Sequence, residues 1–147
     1  TLPFITPWER VQHEGAIRFP DFRHFIIEAG PDLEAAGFLI LIGCRSQHHS
    51  LELKRMVVQK KGQGIGRGTL RLVKKIAFDD LGAHRLWLDV KHHNTRAQKL
   101  YFSEAFVLEG TLREAVLTDE GYVSMQVLSM LKHEYDQRRE LMLELAA

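Results

Sequence analysis

The amino-acid sequence predicts a mixed α/β (α+β) fold with a mostly antiparallel central sheet flanked by helices. First, six short segments of the 147-residue chain show the apolar alternation or the short apolar runs that are typical of strands. Second, a helical stripe of apolar residues separates the third of these segments from the fourth. Third, a four-residue turn joins the last two segments, as in an antiparallel hairpin. The predicted connectivity is therefore part meander and part crossover.

Each element follows from its own residues. The first is a helix, in which Thr6 is the cap, Pro7 takes the first helical position and Glu9 lies three residues after the cap, and Pro20 ends it. Strands are predicted over residues 24–29, 37–44, 51–58, 84–90, 106–117 and 122–131, with turns at 30–32 and 118–121. Further helices are predicted over residues 66–81, 94–103 and from 132 onward.

Composition predicts a single cytoplasmic domain. Apolar residues make up 45% of the chain and charged residues 27%, which is ordinary for a globular protein. A net charge of +1 gives no support for a nucleic-acid partner. Cys44 is the single cysteine, which fits a reducing compartment. The longest apolar run, residues 35–44, is too short for a membrane span of about 20 residues, so no membrane partner is expected.

A glycine-rich stretch follows the third predicted strand. In VVQKKGQGIGRGTLRLVKK, residues 57–75, glycine occupies every second position from Gly62 to Gly68. Each glycine inside an element costs roughly 0.5–1 kcal/mol relative to alanine, so this pattern indicates that the backbone approaches something closely. Six basic residues and no acidic residue lie between positions 59 and 78. Because backbone N–H groups and the positive end of a helix bind phosphate, we expect a phosphate cradle here.

Two common phosphate motifs do not fit this stretch. The dinucleotide fingerprint G-x-G-x-x-G fails, because Arg67 and Thr69 stand where its third glycine is required. The Gly-Lys-Ser/Thr triplet of a P-loop does not occur. A glycine-rich turn needed only for tight packing is the alternative, but it leaves the basic residues unexplained.

A second group of residues lies on the short helix predicted over residues 94–103. Asn94, Ala97, Gln98 and Tyr101 have the spacing of one helix face, which would carry an amide, a small residue and a phenol. Together with Lys61-Gly62-Gln63-Gly64-Ile65-Gly66, this segment resembles the GNAT superfamily of acetyl-CoA-dependent N-acetyltransferases. LELKRMVV before the loop and GYVSMQVLSMLKHEY near the end resemble more narrowly the branch of ribosomal-protein N-terminal and polyamine acetyltransferases.

The resemblance implies a fold, a co-substrate and a set of binding residues. The sheet would splay into a V-shaped slot, between the strand ending at Val58 and the strand beginning near His84, that holds acetyl-CoA without a metal. Residues 1–36 would form part of the acceptor side, 37–131 the acetyl-CoA-binding core and 132–147 a C-terminal helix. The implied cofactor-binding residues are Met56, Val57, Val58, Lys61, Gly62, Gln63, Gly64, Ile65, Gly66, Arg67 and Asn94. Asn94 also fits a helix N-cap.

The sequence departs from the family pattern at three places. Lys61 replaces an arginine or glutamine, which keeps a positive charge but loses bidentate geometry. Ala105 replaces the usual glycine, so we expect a turn that does not need a positive φ. The family's first strand is expected to be missing, which would leave a sheet edge that a homodimer partner could cover.

Acetyl transfer to an amine needs a base and an acid. Tyr101 is the predicted general acid for the departing thiolate, with a core aromatic as the alternative. Glu52 is the predicted base, on the same side of its strand as Met56 and Val58, with a solvated carboxylate or a partner for Lys54 as the alternative. The predicted acceptor is a primary amine, either a peptide N-terminus or a polyamine.

Two rival functions remain open from the sequence. The domain could bind CoA or another protein without turnover. The histidine pairs His48-His49 and His92-His93 could suggest a metal site, but adjacent strand residues point to opposite faces and no acidic partner lies at metal spacing. Loop positions are the better interpretation of these histidines.

Overall fold

The computed structural model describes residues 4–7, 21–32, 34–59 and 64–146. The chain divides into two compact units, Thr1–Leu86 and Trp87–Ala147.

The first unit is built on four antiparallel strands that pair in chain order. They are β1 (Phe4–Pro7), β2 (Phe22–Ala29), β3 (Glu34–Ile42) and β4 (Ser50–Val58). Helix α1 (Ile65–Lys75) follows β4 and continues into a π-helical turn, Ile76–Asp80. The turn at residues 30–32 joins β2 to β3 as predicted.

Two β-bulges interrupt the pairing of these strands. Ile27 pairs with Gly37 but Glu28 pairs with Ala35, so Ala36 is an extra residue in β3. Similarly, Ile40 pairs with Arg55 but Leu41 pairs with Leu53, so Lys54 is an extra residue in β4. Because side chains alternate between faces along a strand, each bulge exchanges the faces of the residues that follow it.

The second unit contains the hairpin and the remaining helices. Strand β5 (Arg85–Lys91) begins at the end of the first unit and leads to α2 (Thr95–Ser103). Strands β6 (Val107–Thr118) and β7 (Gly121–Leu131) form the antiparallel hairpin, and the strand order is β5-β7-β6. Helix α3 (Lys132–Ala146) follows β7 directly.

Both units have an apolar core. In the first unit, its fully buried side chains include Ile27, Leu39 and Leu41 from the sheet and Leu70 and Val73 from α1. In the second unit the most deeply buried apolar side chains are Leu88, Leu128 and Met130. The predicted mixed α/β class with mostly antiparallel strands is confirmed. The slot and the three-part division of the chain stay predictions.

Two expectations about the N-terminal region are wrong. Thr6 and Pro7 end strand β1 rather than starting a helix, and the rest of the expected helix, residues 8–19, lies outside the described residues. Strand β1 pairs with β2 from Phe4↔Glu28 to Pro7↔Phe25. The strand expected to be missing is therefore present, and the edge of β2 on that side is covered. Periodicity cannot reveal so short a strand, because four residues are too few to establish an alternation.

The expectation that the turn at Ala105 does not need a positive φ is also wrong, because its φ is 70°. Ala105 follows the C-cap residue of α2, Glu104, and the Phe106 N–H donates to the Tyr101 carbonyl across it at 3.1 Å. This is the αL ending that normally uses glycine. A left-handed conformation costs an L-residue roughly 1–2 kcal/mol.

We therefore expect Ala105→Gly to stabilise the protein. Removing the Cβ relieves the left-handed strain, and the larger backbone entropy of glycine offsets part of the gain, leaving about 0.5–1 kcal/mol. Thermal or urea unfolding of both proteins measures the difference. The control is Ala115→Gly in β6, where φ is not positive and glycine should destabilise. If Ala105→Gly and Ala115→Gly destabilised the protein equally, the backbone at Ala105 would not be strained.

Candidate active site

The strand-to-helix connection of the first unit carries the predicted phosphate cradle. β4 ends at Val58, and the Gln59 N–H donates to the Ala36 carbonyl at 2.7 Å. α1 begins at Ile65, and its N-cap Gly64 has φ 71° and ψ 5°. Only glycine takes this left-handed conformation without strain, which explains one glycine of the series. Lys61, Gly62 and Gln63 lie outside the described residues.

The N-terminus of α1 has the polarity of an anion site. The N-cap Gly64 contributes no side-chain hydrogen bond, and the first turn carries no acidic residue. The first N–H groups of a helix have no partner within the helix and carry its partial positive charge. Ile65 is buried, Gly66 is half-buried and Arg67 is exposed. This arrangement can bind a phosphate through backbone groups with a cation beside it.

The end of β4 contributes backbone groups. Met56, Val57 and Val58 are half-buried and pair with Leu39, Phe38 and Gly37 in that order. This segment leads directly toward the glycine stretch, so the first unit brings the predicted pantetheine and phosphate residues onto one connection.

Glu52 lies in β4 opposite Ile42, and its side chain is 13% exposed. The Lys54 Nζ lies 4.0 Å from its Oε2, which is the long limit of an ion pair. The bulge at Lys54 places Glu52 on the sheet face opposite to Met56 and Val58. The expectation that the three side chains share a face is therefore wrong, because simple alternation does not register an extra residue.

Asn94 in the second unit is the N-cap of α2. Its Oδ1 accepts a hydrogen bond from the Ala97 N–H at 3.2 Å, which confirms the cap. The Gln98 Nε2 donates to the Lys91 carbonyl at 3.0 Å and to the His92 carbonyl at 2.9 Å. Gln98 thus ties α2 to the end of β5 and holds the turn that carries Asn94.

Tyr101 lies two turns further along α2. Its ring packs edge-on against the buried Phe106, with 5.9 Å between ring centroids. Burial raises the pKa of the Tyr101 phenol above its usual value of 10.0. The phenol is therefore neutral at physiological pH and able to donate a hydrogen bond or a proton.

An ion pair made by the buried Glu104, just after Tyr101, was not predicted from the sequence. Glu104 is 1% exposed, and its Oε2 lies 3.7 Å from Nη2 of Arg138 in α3. The same Nη2 donates to the Ser103 carbonyl at 3.1 Å. α3 thus braces the C-terminal end of α2. The only sequence signal was an acidic residue in the apolar stretch before Phe106, and its partner lies 34 positions away.

The histidines of the second unit have local contacts. The rings of His92 and His93 pack edge-on with centroids 5.2 Å apart, and His92 Nδ1 lies 3.3 Å from the Ser124 carbonyl oxygen. Among the residues that the structure describes, no three His, Cys, Asp or Glu side chains are grouped to hold a metal ion. None of the described helices is long and apolar enough to cross a membrane.

A comparison with known protein families shows the family of this chain. The sequence profile of the acetyltransferase (GNAT) family matches residues 2–103 of this chain. The chain belongs to this family. The matched range runs from β1 to the end of α2, so the GNAT domain includes the α1 N-terminus, Asn94 and Tyr101.

Individual relatives agree with this assignment. Uncharacterized N-acetyltransferases of Mycobacterium tuberculosis and Mycobacterium bovis are 33% identical to this GNAT chain over 92 residues, which are 62% of this chain. The match covers 58% of either relative, so the chain spans less than two thirds of their length.

Solved structures share the fold. A spermidine N-acetyltransferase from Vibrio cholerae in complex with CoA and spermine has a TM-score of 0.83 at 20% identity, over 91% of this chain and 98% of that chain. A dodecameric spermidine N-acetyltransferase from the same organism has a TM-score of 0.78 at 24% identity, over 90% of this chain and 81% of that chain. These likenesses show the GNAT fold.

The environment of Tyr101 predicts its titration. Because burial raises its pKa, the Tyr101 phenol should ionise above pH 10, while the neutral form persists below that value. The stabilisation from this neutral phenol is present below the unfolded pKa of about 10 and is lost as pH rises through the higher folded value. Phenolate absorbance of the native protein, compared with Tyr101→Phe, isolates this group from the other two tyrosines. A Tyr101 step below pH 10 would contradict the direction of the shift.

Proposed function

We propose that this protein is an acetyl-CoA-dependent N-acetyltransferase that transfers the acetyl group directly to a primary amine. The observation that carries the proposal is the N-terminus of α1 in a member of the GNAT family. There a left-handed glycine precedes a helix whose N-cap residue gives no side-chain cap and whose first turn has no acidic residue, an arrangement that can receive an anionic ligand. The V. cholerae neighbour that binds CoA supports the co-substrate.

The proposed cofactor contacts divide by chemistry. Backbone N–H groups of the glycine stretch hold the pyrophosphate, with Lys61 and Arg67 as nearby cations. Backbone groups at the end of β4 hold the pantetheine arm, and the family resemblance assigns Asn94 to the same co-substrate. The full set is Met56, Val57, Val58, Lys61, Gly62, Gln63, Gly64, Ile65, Gly66, Arg67 and Asn94.

The reaction forms a C–N bond and breaks a C–S bond. A neutral amine attacks the thioester carbonyl, whose oxygen takes the displaced electron pair and returns it as the thiolate departs. The amine gives up one proton and the thiolate receives one, so the protein needs a base and an acid. We assign the acid to Tyr101, whose raised pKa keeps its proton in place at neutral pH.

We assign the base to Glu52. Its side chain is 13% exposed, and its Oε2 lies 4.0 Å from the Nζ of the more exposed Lys54. Because the bulge turns Glu52 away from the face of Met56 and Val58, the proton would travel through water rather than directly.

A polyamine is the favoured acceptor, and a peptide α-amine is the second candidate. The solved neighbours, which are spermidine N-acetyltransferases and one of which is in complex with spermine, support the first. Release of CoA thiol from acetyl-CoA, measured against matched panels of polyamines and short peptides, separates the two. A protein that binds acetyl-CoA but releases thiol with neither panel would instead be a non-catalytic CoA-binding or protein-interaction domain. A cytoplasmic location stays a prediction from the single cysteine.

We also propose that the protein forms a homodimer through its second unit. Strand β6 exposes apolar side chains on one face, because Leu112 pairs with Met125 and Val116 with Val123 at alternate positions of β7. Leu112 is 51% and Val116 38% exposed. The expected dimer was to cover a bare edge of β2, but β1 covers that edge. Exposed apolar strips of this kind mark contact surfaces, and the dodecameric neighbour shows that a related fold assembles.

The first functional prediction tests Tyr101. Tyr101→Phe keeps the ring packed against Phe106 but removes the proton, so kcat should fall by about 10²–10⁴-fold. The Kd for acetyl-CoA should stay within a few-fold, as measured by calorimetry. Wild-type turnover by the variant with a competent amine would show that water protonates the thiolate.

The same assay tests the base. Glu52→Gln should remove the acidic limb of the pH–rate profile, whereas the control Glu120→Gln, on the exposed turn between β6 and β7, should retain it. An unchanged acidic limb in Glu52→Gln would reject Glu52 as the base.

The assembly prediction uses a charge on β6. Leu112→Asp should shift the protein from dimer to monomer in light scattering, because an aspartate cannot be buried in an apolar contact. Thr111→Asp adds the same charge at the neighbouring exposed position, on the opposite face of β6, and serves as the control. A wild-type monomer, or a dimer unaffected by Leu112→Asp, would rule out this surface.

A further inference from the structure

The backbone of β3 comes unusually close to the end of β4 at Gly37. A Cβ at this position would overlap the carbonyl oxygen of Val57, and it would lie 2.9 Å from the Val57 carbonyl carbon and 3.1 Å from the Val58 Cα. Any residue other than glycine must therefore push the Val57–Val58 peptide away. Gly37 belongs to none of the motifs that identified the cofactor site.

The close contact sets the direction of one backbone donor. The Val57–Val58 peptide is trans and planar, so its N–H points opposite to its C=O. Because the Val57 carbonyl lies over Gly37, the Val58 N–H points away from β3. The neighbouring Gln59 N–H points the other way and donates to Ala36 in β3 at 2.7 Å, as the alternation along a strand requires.

We infer that Gly37 is a positioning residue for cofactor binding, because it allows the Val58 N–H to face a carbonyl of the pantetheine arm. This rests on the proposed function, in which the end of β4 holds that arm. Gly37 is the β3 residue that pairs with Val58, the last residue of β4. Gly37 would thus tune affinity for the thioester half of the co-substrate without touching it.

The test uses two ligands and three variants. S-acetylpantetheine keeps the amide arm but lacks the pyrophosphate and the nucleotide. Gly37→Ala should weaken binding of both acetyl-CoA and S-acetylpantetheine by about tenfold, the usual effect of one lost hydrogen bond. Gly66→Val, at the phosphate cradle, should weaken acetyl-CoA only. The control Gly110→Ala, in a strand where an added Cβ meets nothing within 4 Å, should weaken neither.

A second measurement does not depend on the folding of Gly37→Ala. In the wild type, S-acetylpantetheine should slow hydrogen exchange of the Val58 amide at least tenfold. An unaffected Val58 amide, or Gly37→Ala binding both thioesters like the wild type, would overturn the inference alone. A wild type that binds neither thioester would overturn the proposed cofactor, and the inference with it.

Discussion

The antiparallel pairing of β3 with β4 is the constraint on which the first unit depends. It places the buried Leu41 opposite the buried Leu53, and it continues to Val58, where β4 ends before the glycine stretch. The bulge at Lys54 divides β4 into two parts with opposite facing. The first part contributes Leu51 and Leu53 to the core, and the second offers its backbone at the end of the strand. One strand can therefore serve stability and binding at different points along its length.

Much of this fold follows from periodicity and turn residues. The strands from β2 to β7 and the three helices of the described residues lie within a few positions of their predicted bounds when α1 is taken together with its π-helical turn, because each carries its own apolar pattern. What the pattern missed has physical causes. A bulge cannot be recognised from the order of residue types, so the predicted sheet face of Glu52 was wrong. The φ of Ala105 is imposed by the ending of α2, and alanine itself does not signal it.

The candidate site divides in the same way. The N-cap role of Asn94 was identifiable because it is local: a side-chain N-cap depends on neighbours a few residues away. The left-handed φ of Gly64 was not predicted, because a series of alternating glycines does not show which of them takes it. The contacts of Glu104 with Arg138 and of Gly37 with Val57 join residues far apart in sequence. Such contacts depend on how elements pack, which residue spacing cannot show. Residues that position a site through long-range contacts are thus harder to predict from the sequence than the residues proposed to bind or react.

An anion bound at the start of α1 would become part of the secondary structure of the helix. In most helices a serine, threonine, aspartate or asparagine side chain satisfies the first N–H groups, and its loss costs about 1 kcal/mol. Gly64 supplies no such side chain, so an anion bound there would act as the missing cap. The first turn of α1 would then be the most easily opened part of the helix in the empty protein and would become ordered as the ligand binds. Binding of the anion and ordering of the first turn of α1 would then be coupled, so that each favours the other.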